Sequence, residues 1–154
     1  MGDSARILIV DDDDESIREV LTAILRDEGY IVEAVDTGEK AVQATQQKFY
    51  NLVLIDIRLP DMEGTKLLTK MKDTVPKMVK IIITGYPTLQ NAIEAVNKGA
   101  DGYIVKPINI EETLKIIREH LRKQEEERKY SEQKMVEFIE TRVKELEAKE
   151  KVRK

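Results

Sequence analysis

Five polar residues lie directly after, or at the end of, runs of apolar residues, and together they could bind a metal ion and a phosphoryl group. Asp11 and Asp12 follow one apolar run, Asp56 ends a second, Thr84 ends a third, and Lys106 follows a fourth. Carboxylates placed close together raise one another's pKa unless a cation lies among them, and an all-oxygen ligand set suits Mg²⁺. A hydroxyl and an ammonium group can hold phosphoryl oxygens. These residue types therefore predict a pocket for Mg²⁺ and a phosphoryl group.

The apolar runs predict the strands of a parallel β-sheet. Short apolar, β-branched runs are typical of strands buried on both faces, and stretches with helical periodicity separate them. This alternation predicts an α/β fold of the (βα)5 type, with right-handed crossovers and helices on both faces. Ligands of open α/β sheets bind at the carboxyl ends of the strands, where the five polar residues lie. The predicted strands are Arg6–Val10, Ile31–Val35, Leu52–Asp56, Val79–Thr84 and Gly102–Val105.

Local signals predict how the helices begin and which residues they bury. Asp13 and Asp14 are expected to be acids at the start of the first helix rather than metal ligands, because they suit the positive end of the helix dipole. Thr37 is expected to cap the second helix, and Asn109 the last. The first helix is expected to bury one apolar stripe, and a second set of apolar residues defines the fourth helix; these are Ile17, Val20, Leu21, Ile24 and Leu25, and Leu89, Ala92, Ile93 and Val96.

Composition excludes several classes of site. The chain of 154 residues has no Cys and one His, which excludes disulfides, thiolate metal sites and multi-histidine metal sites. With 41% hydrophobic residues it can bury a core, and no apolar run is long enough to cross a membrane. We therefore expect a cytoplasmic protein. The formal net charge of −4 predicts no direct contact with nucleic acid or membrane.

Five motifs, in this order and spacing, resemble the receiver domain of two-component response regulators. The resemblance covers about residues 5–121. It implies a flavodoxin-like, doubly wound parallel sheet with strand order 2-1-3-4-5, in which the first and third strands are neighbours. The motifs are Ile9-Val10-Asp11-Asp12-Asp13, Asp56 followed by Leu59-Pro60-Asp61 and Gly64, Ile83-Thr84-Gly85, Gly99-Ala100-Asp101, and Tyr103-Ile104-Val105-Lys106-Pro107.

The resemblance also implies roles for the acidic residues. Asp56 would be the phosphoacceptor, and it would lie within a few ångströms of Asp11 and Asp12. Asp12 would bind Mg²⁺ directly and Asp11 largely through water, while Asp56 and the backbone carbonyl of Arg58 would complete the protein ligands.

Further roles follow for the residues on the other side of the pocket. Thr84 and Lys106 would hold the phosphoryl oxygens, and Thr84 and Tyr103 would form a conformational switch. The Lys106–Pro107 bond is expected to be cis, which an X-Pro bond permits. His120 is expected to be a solvated residue of the last helix and not a phosphodonor.

The function implied is a signalling domain that is not an enzyme beyond promoting its own phosphotransfer and dephosphorylation. A sensor histidine kinase or a phosphotransfer protein would donate the phosphoryl group. One alternative is a phosphatase of the haloacid dehalogenase class, but its nucleophile would follow the first strand and carry a second acid two residues later, where Arg58 stands here. Another alternative is a receiver-like scaffold that never accepts phosphate.

The residues after the receiver-like region predict one long charged helix. From Asn109 to Lys154 there is no Pro or Gly, and good helix formers dominate. We divide the chain into a receiver, residues 5–121, and a helical extension, residues 122–154, which is a possible coiled coil or linker to an output domain. An apolar stripe within the extension suggests a homodimer through the last helices; it consists of Met135, Phe138, Ile139, Val143 and Leu146.

Overall fold

Five parallel strands form one sheet in the order β2-β1-β3-β4-β5, which confirms the predicted flavodoxin-like fold. The computed structural model describes residues 4–12 and 15–153, so Asp13 and Asp14 lie outside the described residues. In chain order the elements are β1 (Arg6–Val10), α1 (Glu15–Asp27), β2 (Ile31–Val35), α2 (Gly38–Gln47), β3 (Leu52–Asp56), α3 (Gly64–Lys70), β4 (Val79–Thr84), α4 (Leu89–Asn97), β5 (Gly102–Val105) and α5 (Ile110–Arg153).

The register of the central strands brings the predicted site residues to one edge of the sheet. Val10 of β1 pairs with Ile55 of β3, so the residues that follow them, Asp11 and Asp56, lie at adjacent strand ends. Thr84 ends β4, the next strand along the sheet. The sheet therefore gathers these side chains without help from any long loop.

Side chains on both faces of the sheet are buried, as expected for a doubly wound fold. All five residues of β3 and all six of β4 are buried. One core cluster includes Leu8, Val53, Ile55 and Ile82, and the opposite one includes Ile7, Ile9, Leu54 and Ile81. The alternation along each strand assigns successive residues to opposite cores.

The apolar residues that define α4 in the sequence lie mostly on its exposed face. Leu89, Ile93 and Val96 are 78%, 52% and 67% exposed, whereas the small residue Ala95 is fully buried. The stripe of α1 is correct for Leu21 and Leu25, but Val20 is 51% exposed. Periodicity marks an apolar face without saying whether this chain covers it, and the apolar face of α4 remains on the surface.

The caps and turns agree with the sequence predictions. Thr37 Oγ1 accepts a hydrogen bond from Lys40 N at 3.1 Å and caps α2. Asn109 Oδ1 accepts one from Glu112 N at 3.0 Å at the start of α5. The Lys106–Pro107 peptide bond is cis, as expected.

The C-terminal part of the chain forms a single helix, α5, of 44 residues. Thr113 and Ile117 are buried against the rest of the domain. His120 is half-buried, facing Gly102, and not fully solvated. Among the described residues, no helix is both long enough and apolar enough to span a membrane.

Candidate functional site

Asp56, Lys106 and Asp11 form a buried ionic cluster at the carboxyl edge of the sheet. Lys106 Nζ lies 2.9 Å from Asp56 Oδ2 and 3.4 Å from Asp11 Oδ2. The three side chains are 3%, 14% and 7% exposed, for Asp56, Lys106 and Asp11 respectively. The adjacent strand ends thus bring two carboxylates to one cation, and three of the predicted site residues meet.

The environment of Lys106 favours its charged form. Burial lowers the pKa of the Lys106 ammonium, but the hydrogen bond to Asp56 and the charges of Asp11 and Asp56 more than offset this, so the pKa lies above its usual value. Lys106 therefore stays positive at neutral pH and can act as a fixed counter-charge. This pairing stabilises the folded protein at pH values below the usual pKa of lysine. The stabilisation is lost as the pH rises through the raised pKa of Lys106.

Asp12 does not join Asp11 and Asp56 in one group of acids among the described residues. Asp12 is exposed, whereas Asp11 is only 5% exposed. Within residues 4–12 and 15–153, no three acidic or histidine side chains lie close enough together to hold a metal ion. Lys106, rather than a third acid, completes the cluster.

Thr84 lies at the end of β4 and is linked to the segment that carries Lys106. Its carbonyl accepts a hydrogen bond from Lys106 N at 2.8 Å, and its hydroxyl oxygen accepts one from Tyr86 N at 3.0 Å. The side chain is buried, with 1% exposed. Thr84 is therefore held at the edge of the sheet that also carries Asp56.

Tyr103 points inward. It packs against the core cluster that contains Ile82 and Ala95, and its hydroxyl is buried with no hydrogen-bond partner among the described residues. The predicted switch residue thus occupies an inward position whose hydroxyl is unsatisfied. An unmet hydroxyl typically costs about 1–3 kcal/mol.

The loop after β3 is built around close contacts to Asp56. Arg58 N donates a hydrogen bond to Asp56 Oδ1 at 3.0 Å, which orients the carboxylate. A Cβ added at Gly64 would lie 2.2 Å from the carbonyl oxygen of Asp56, so only glycine fits there. Arg58 also forms an isolated bridge with Glu63, which closes the loop. These contacts fix both the backbone and one carboxylate oxygen of Asp56.

The same loop is anchored on α2 by Asp61. Its two carboxylate oxygens accept hydrogen bonds from Gly38 N and Glu39 N, each at 2.9 Å. Partial desolvation raises the pKa of Asp61, but the hydrogen bonds from Gly38 and Glu39 lower it by more. The pKa of Asp61 therefore lies below its usual value. Met62 packs against Gly38, where an added Cβ would lie 2.5 Å from its sulfur. Asp61 was part of a sequence motif, but its partners lie 22 and 23 residues away, and no local signal predicts them.

Arg58 and Tyr86 bridge the loops that follow Asp56 and Thr84. The guanidinium carbon of Arg58 lies 3.8 Å from the centre of the Tyr86 ring, within the range of a cation–π contact. Tyr86 is 57% exposed. The pair therefore forms an outer wall beside the ionic cluster.

A family model described as the response regulator receiver domain matches residues 7–118, which include every residue of this cluster. The chain belongs to the response regulator receiver family. Receivers are signalling domains of two-component systems and are phosphorylated on an aspartate. The match ends within α5, so the receiver family accounts for the sheet and its site but not for the distal part of this helix.

Named relatives agree with this assignment. The transcriptional regulatory protein ZraR of Klebsiella oxytoca is 36% identical over 110 residues, which cover 71% of this chain and 25% of ZraR. A CheY-like receiver domain protein from Methanospirillum hungatei JF-1 has 47% sequence identity and a TM-score of 0.76, and the match covers 80% of this chain and 98% of that one. The beryllofluoride-activated NtrC4 receiver domain dimer has 33% identity and a TM-score of 0.71, covering 77% and 98%. This chain spans about a quarter of the length of ZraR.

Proposed function

We propose that Asp56 accepts a phosphoryl group from a phosphohistidine of a sensor histidine kinase or a phosphotransfer protein. The observation that supports this most strongly is the buried Asp56 carboxylate, held 2.9 Å from the Lys106 ammonium at the end of the central strand. In the reaction, one carboxylate oxygen of Asp56 forms a bond to phosphorus, and the bond from phosphorus to the donor's imidazole nitrogen breaks. The product is an acyl phosphate.

Each neighbouring residue has a task in this transfer. Arg58 N keeps one carboxylate oxygen of Asp56 oriented. The Lys106 ammonium, already between two carboxylates, offsets the repulsion between an anionic nucleophile and an anionic phosphoryl group. The hydroxyl oxygen of Thr84 accepts a hydrogen bond from Tyr86 N, and its O–H would donate a hydrogen bond to a phosphoryl oxygen. Positioning of this kind suits a loose, in-line phosphoryl transfer.

The donor set fits Mg²⁺, which receivers generally bind for phosphorylation. Asp11 and Asp56 are oxygen donors that already share one cation, Lys106, and we assign Asp11, Asp12, Asp56 and the backbone carbonyl of Arg58 as the protein ligands. When bound, the metal ion supplies positive charge that neutralises the carboxylates and the incoming phosphoryl oxygens. Asp12 is exposed here and would have to turn toward the ion.

We propose that Thr84 and Tyr103 couple this reaction to the surface. A phosphoryl group adds up to about two negative charges and three acceptor oxygens beside Thr84. A shift of Thr84 toward those oxygens would change the space available to Tyr103. The buried hydroxyl of Tyr103 has no hydrogen-bond partner within residues 4–12 and 15–153, which supports an inward position that is not strongly preferred over an outward one.

We expect a long-lived acyl phosphate, because the Arg58–Tyr86 pair obstructs the approach of water. Replacing both by alanine should speed the decay of the acyl phosphate roughly twofold to fivefold, which corresponds to lowering the barrier to water attack by about 0.5–1 kcal/mol. The decay of label after removal of the donor measures this. Lys134 and Tyr130 form a similar pair far along α5, with 5.4 Å between ammonium and ring centre, and their double alanine variant is the matched control. Equal decay rates in the two double variants would remove the idea.

We further propose that the receiver forms a homodimer through the face of α4, β5 and α5. Leu89, Ile93, Val96 and Val105 on this face are 78%, 52%, 67% and 46% exposed. One structural neighbour, the NtrC4 receiver, is itself described as a beryllofluoride-activated dimer. The tail stripe, with Phe138 72% exposed, extends the apolar surface available to a second copy.

Sedimentation of the full chain, with and without beryllofluoride and Mg²⁺, tests the homodimer. We expect the dimer fraction to rise in their presence, and a version that ends after Leu121 to dimerise more weakly. A monomer in every condition would contradict the proposal.

A low-molecular-weight phosphodonor tests the proposed function and separates it from its rivals. With Mg²⁺, a receiver should acquire one covalent phosphoryl group, whereas a phosphatase would turn the donor over rapidly without retaining label. A scaffold would remain unlabelled. As a receiver, this part of the chain would catalyse only its own phosphorylation and dephosphorylation.

A further inference from the structure

A buried glutamine joins α5 to the edge of the sheet opposite the acceptor site. The side-chain amide of Gln124 accepts a hydrogen bond from Asn51 Nδ2 at 3.0 Å. It donates to the backbone carbonyls of Asn51 and Lys77 at 2.9 and 2.7 Å. Gln124 is only 5% exposed, although it lies in a strongly charged stretch of the helix. The oxygen and the nitrogen of its amide are therefore both engaged in hydrogen bonds to the rest of the domain.

The partners of Gln124 precede the two strands that carry the acceptor site. Asn51 directly precedes β3, which ends at Asp56, and Lys77 lies just before β4, which ends at Thr84. The Asn51 side chain also accepts a hydrogen bond from Arg6 N at 2.9 Å, which ties in the start of β1. Gln124 thus contacts the starts of the strands whose opposite ends hold the site. The receiver family match stops at residue 118, before this contact.

On both sides of Gln124 the helix is supported by ion pairs along its own surface. Arg122 pairs with Glu119 and Glu126, and Arg128 pairs with Glu125 and Glu132. Exposed pairs of this kind favour helix but contribute little each, and they act only within the helix. They keep residues 122–134 helical without setting the direction of that helix relative to the sheet.

We propose that Gln124 and Asn51 form a joint that fixes the direction of α5 beyond the receiver, so that the receiver and residues 122–134 move as one body. Three hydrogen bonds to Asn51 and Lys77, which precede two different strands, prevent the helix from rolling or swinging about its last apolar contact, Leu121. The joint itself does not depend on phosphorylation. That the joint transmits a structural change in β3 or β4 to residues 122–134 rests on the proposed function.

Spin-label distances in the unphosphorylated full chain test the joint. The chain has no cysteine, so Lys66→Cys on α3 and Lys144→Cys on the tail, both exposed, give two unique labelling sites. We expect a narrow distance distribution with Gln124 and a broader one in Gln124→Ala and in the apolar variant Gln124→Met. In both Gln124 variants, hydrogen exchange should show that the backbone amides of residues 122–126 are at least about tenfold less protected than in the unchanged chain. The reason is that both variants lose three hydrogen bonds.

The matched control is Gln133→Ala, which makes the same change at an exposed position of the same helix. It should leave both the distances and the exchange rates unchanged. Uptake of label from a small phosphodonor by the Gln124 variants shows separately whether the receiver is folded and active. Unchanged distances in both Gln124 variants would overturn the joint. Loss of the receiver fold in both would also overturn it, because Gln124 would then be part of the domain core rather than a link to the tail.

Discussion

Asp56→Asn is expected to take up no phosphoryl group from any donor while the fold stays intact. The substitution removes the nucleophilic oxygen charge but keeps a side chain of the same size, whose one remaining oxygen can still accept a hydrogen bond from either Arg58 N or Lys106 Nζ. Lys106 retains Asp11 as an ionic partner and one of two neighbouring carboxylate charges is removed, so the free energy of unfolding without metal should stay equal or rise. Phosphate-affinity electrophoresis after incubation with a small phosphodonor and Mg²⁺ measures the uptake, and thermal unfolding measures the stability.

The matched control for this variant is Asp73→Asn, which makes the same change at an exposed acid outside the ionic cluster. Asp73→Asn should take up as much phosphoryl group as the unchanged chain does. Near-normal uptake by Asp56→Asn would mean that another carboxylate is the acceptor. The metal ligands can be separated in the same assay, because Asp12→Ala should weaken the Mg²⁺ dependence more than Asp11→Ala.

Gly64→Ala is expected to destabilise the protein by about 3 kcal/mol or more, and to lower the melting temperature by roughly 10 °C. The added Cβ would lie 2.2 Å from the carbonyl oxygen of Asp56 and 2.9 Å from a side-chain carbon of Ile55. Because the first of these atoms belongs to the backbone, the end of β3 must move. Thermal and urea unfolding measure the loss, and uptake of phosphoryl label should fall with it because the acceptor itself is displaced.

Gly85→Ala is the control for Gly64→Ala. A Cβ at Gly85 would meet only the aliphatic part of Lys106, at 3.8 Å, which is an ordinary van der Waals distance. Its stability should therefore stay within about 1 kcal/mol of the unchanged chain. Similar melting temperatures for the two variants would show that the loop after β3 can relax at Gly64, contrary to the tight packing described for Asp56.

The strands were predictable because each is a short apolar run bounded by polar residues. Leu52–Asp56 and Val79–Thr84 were predicted with the bounds that the structure gives them. A strand buried on both faces leaves this signal in consecutive residues, so no knowledge of its neighbours is needed. The order of the strands came instead from the family resemblance, because alternation alone does not determine it.

Features that depend on distant partners could not be predicted. The Gln124–Asn51 contact joins residues 73 positions apart, and Gln124 lies in a charged segment that resembles a solvated connector. The exposure of the apolar face of α4 could not be predicted either. Ile93 lies on a regular apolar stripe and is nevertheless 52% exposed. Periodicity detects an apolar face but does not distinguish a core contact from a surface available to another molecule.

The separation of Asp12 from the ionic cluster also lay beyond the sequence. Adjacent acids after β1 predicted a compact carboxylate group, but one of the two points into the cluster and the other into solvent. Lys106, 95 residues from Asp11, provides the cation between the two buried acids. Such a cluster depends on the side-chain directions at three strand ends, which residue spacing does not specify.

The most direct test of the account is to locate the covalent label. The full chain is incubated with a small phosphodonor and Mg²⁺, the acyl phosphate is reduced with borohydride, and the modified residue is identified by peptide mass spectrometry. We predict a single modified residue, Asp56, and no modification when Mg²⁺ is removed by chelation. Modification of a different carboxylate, or consumption of the donor with no modified residue, would contradict the central claim.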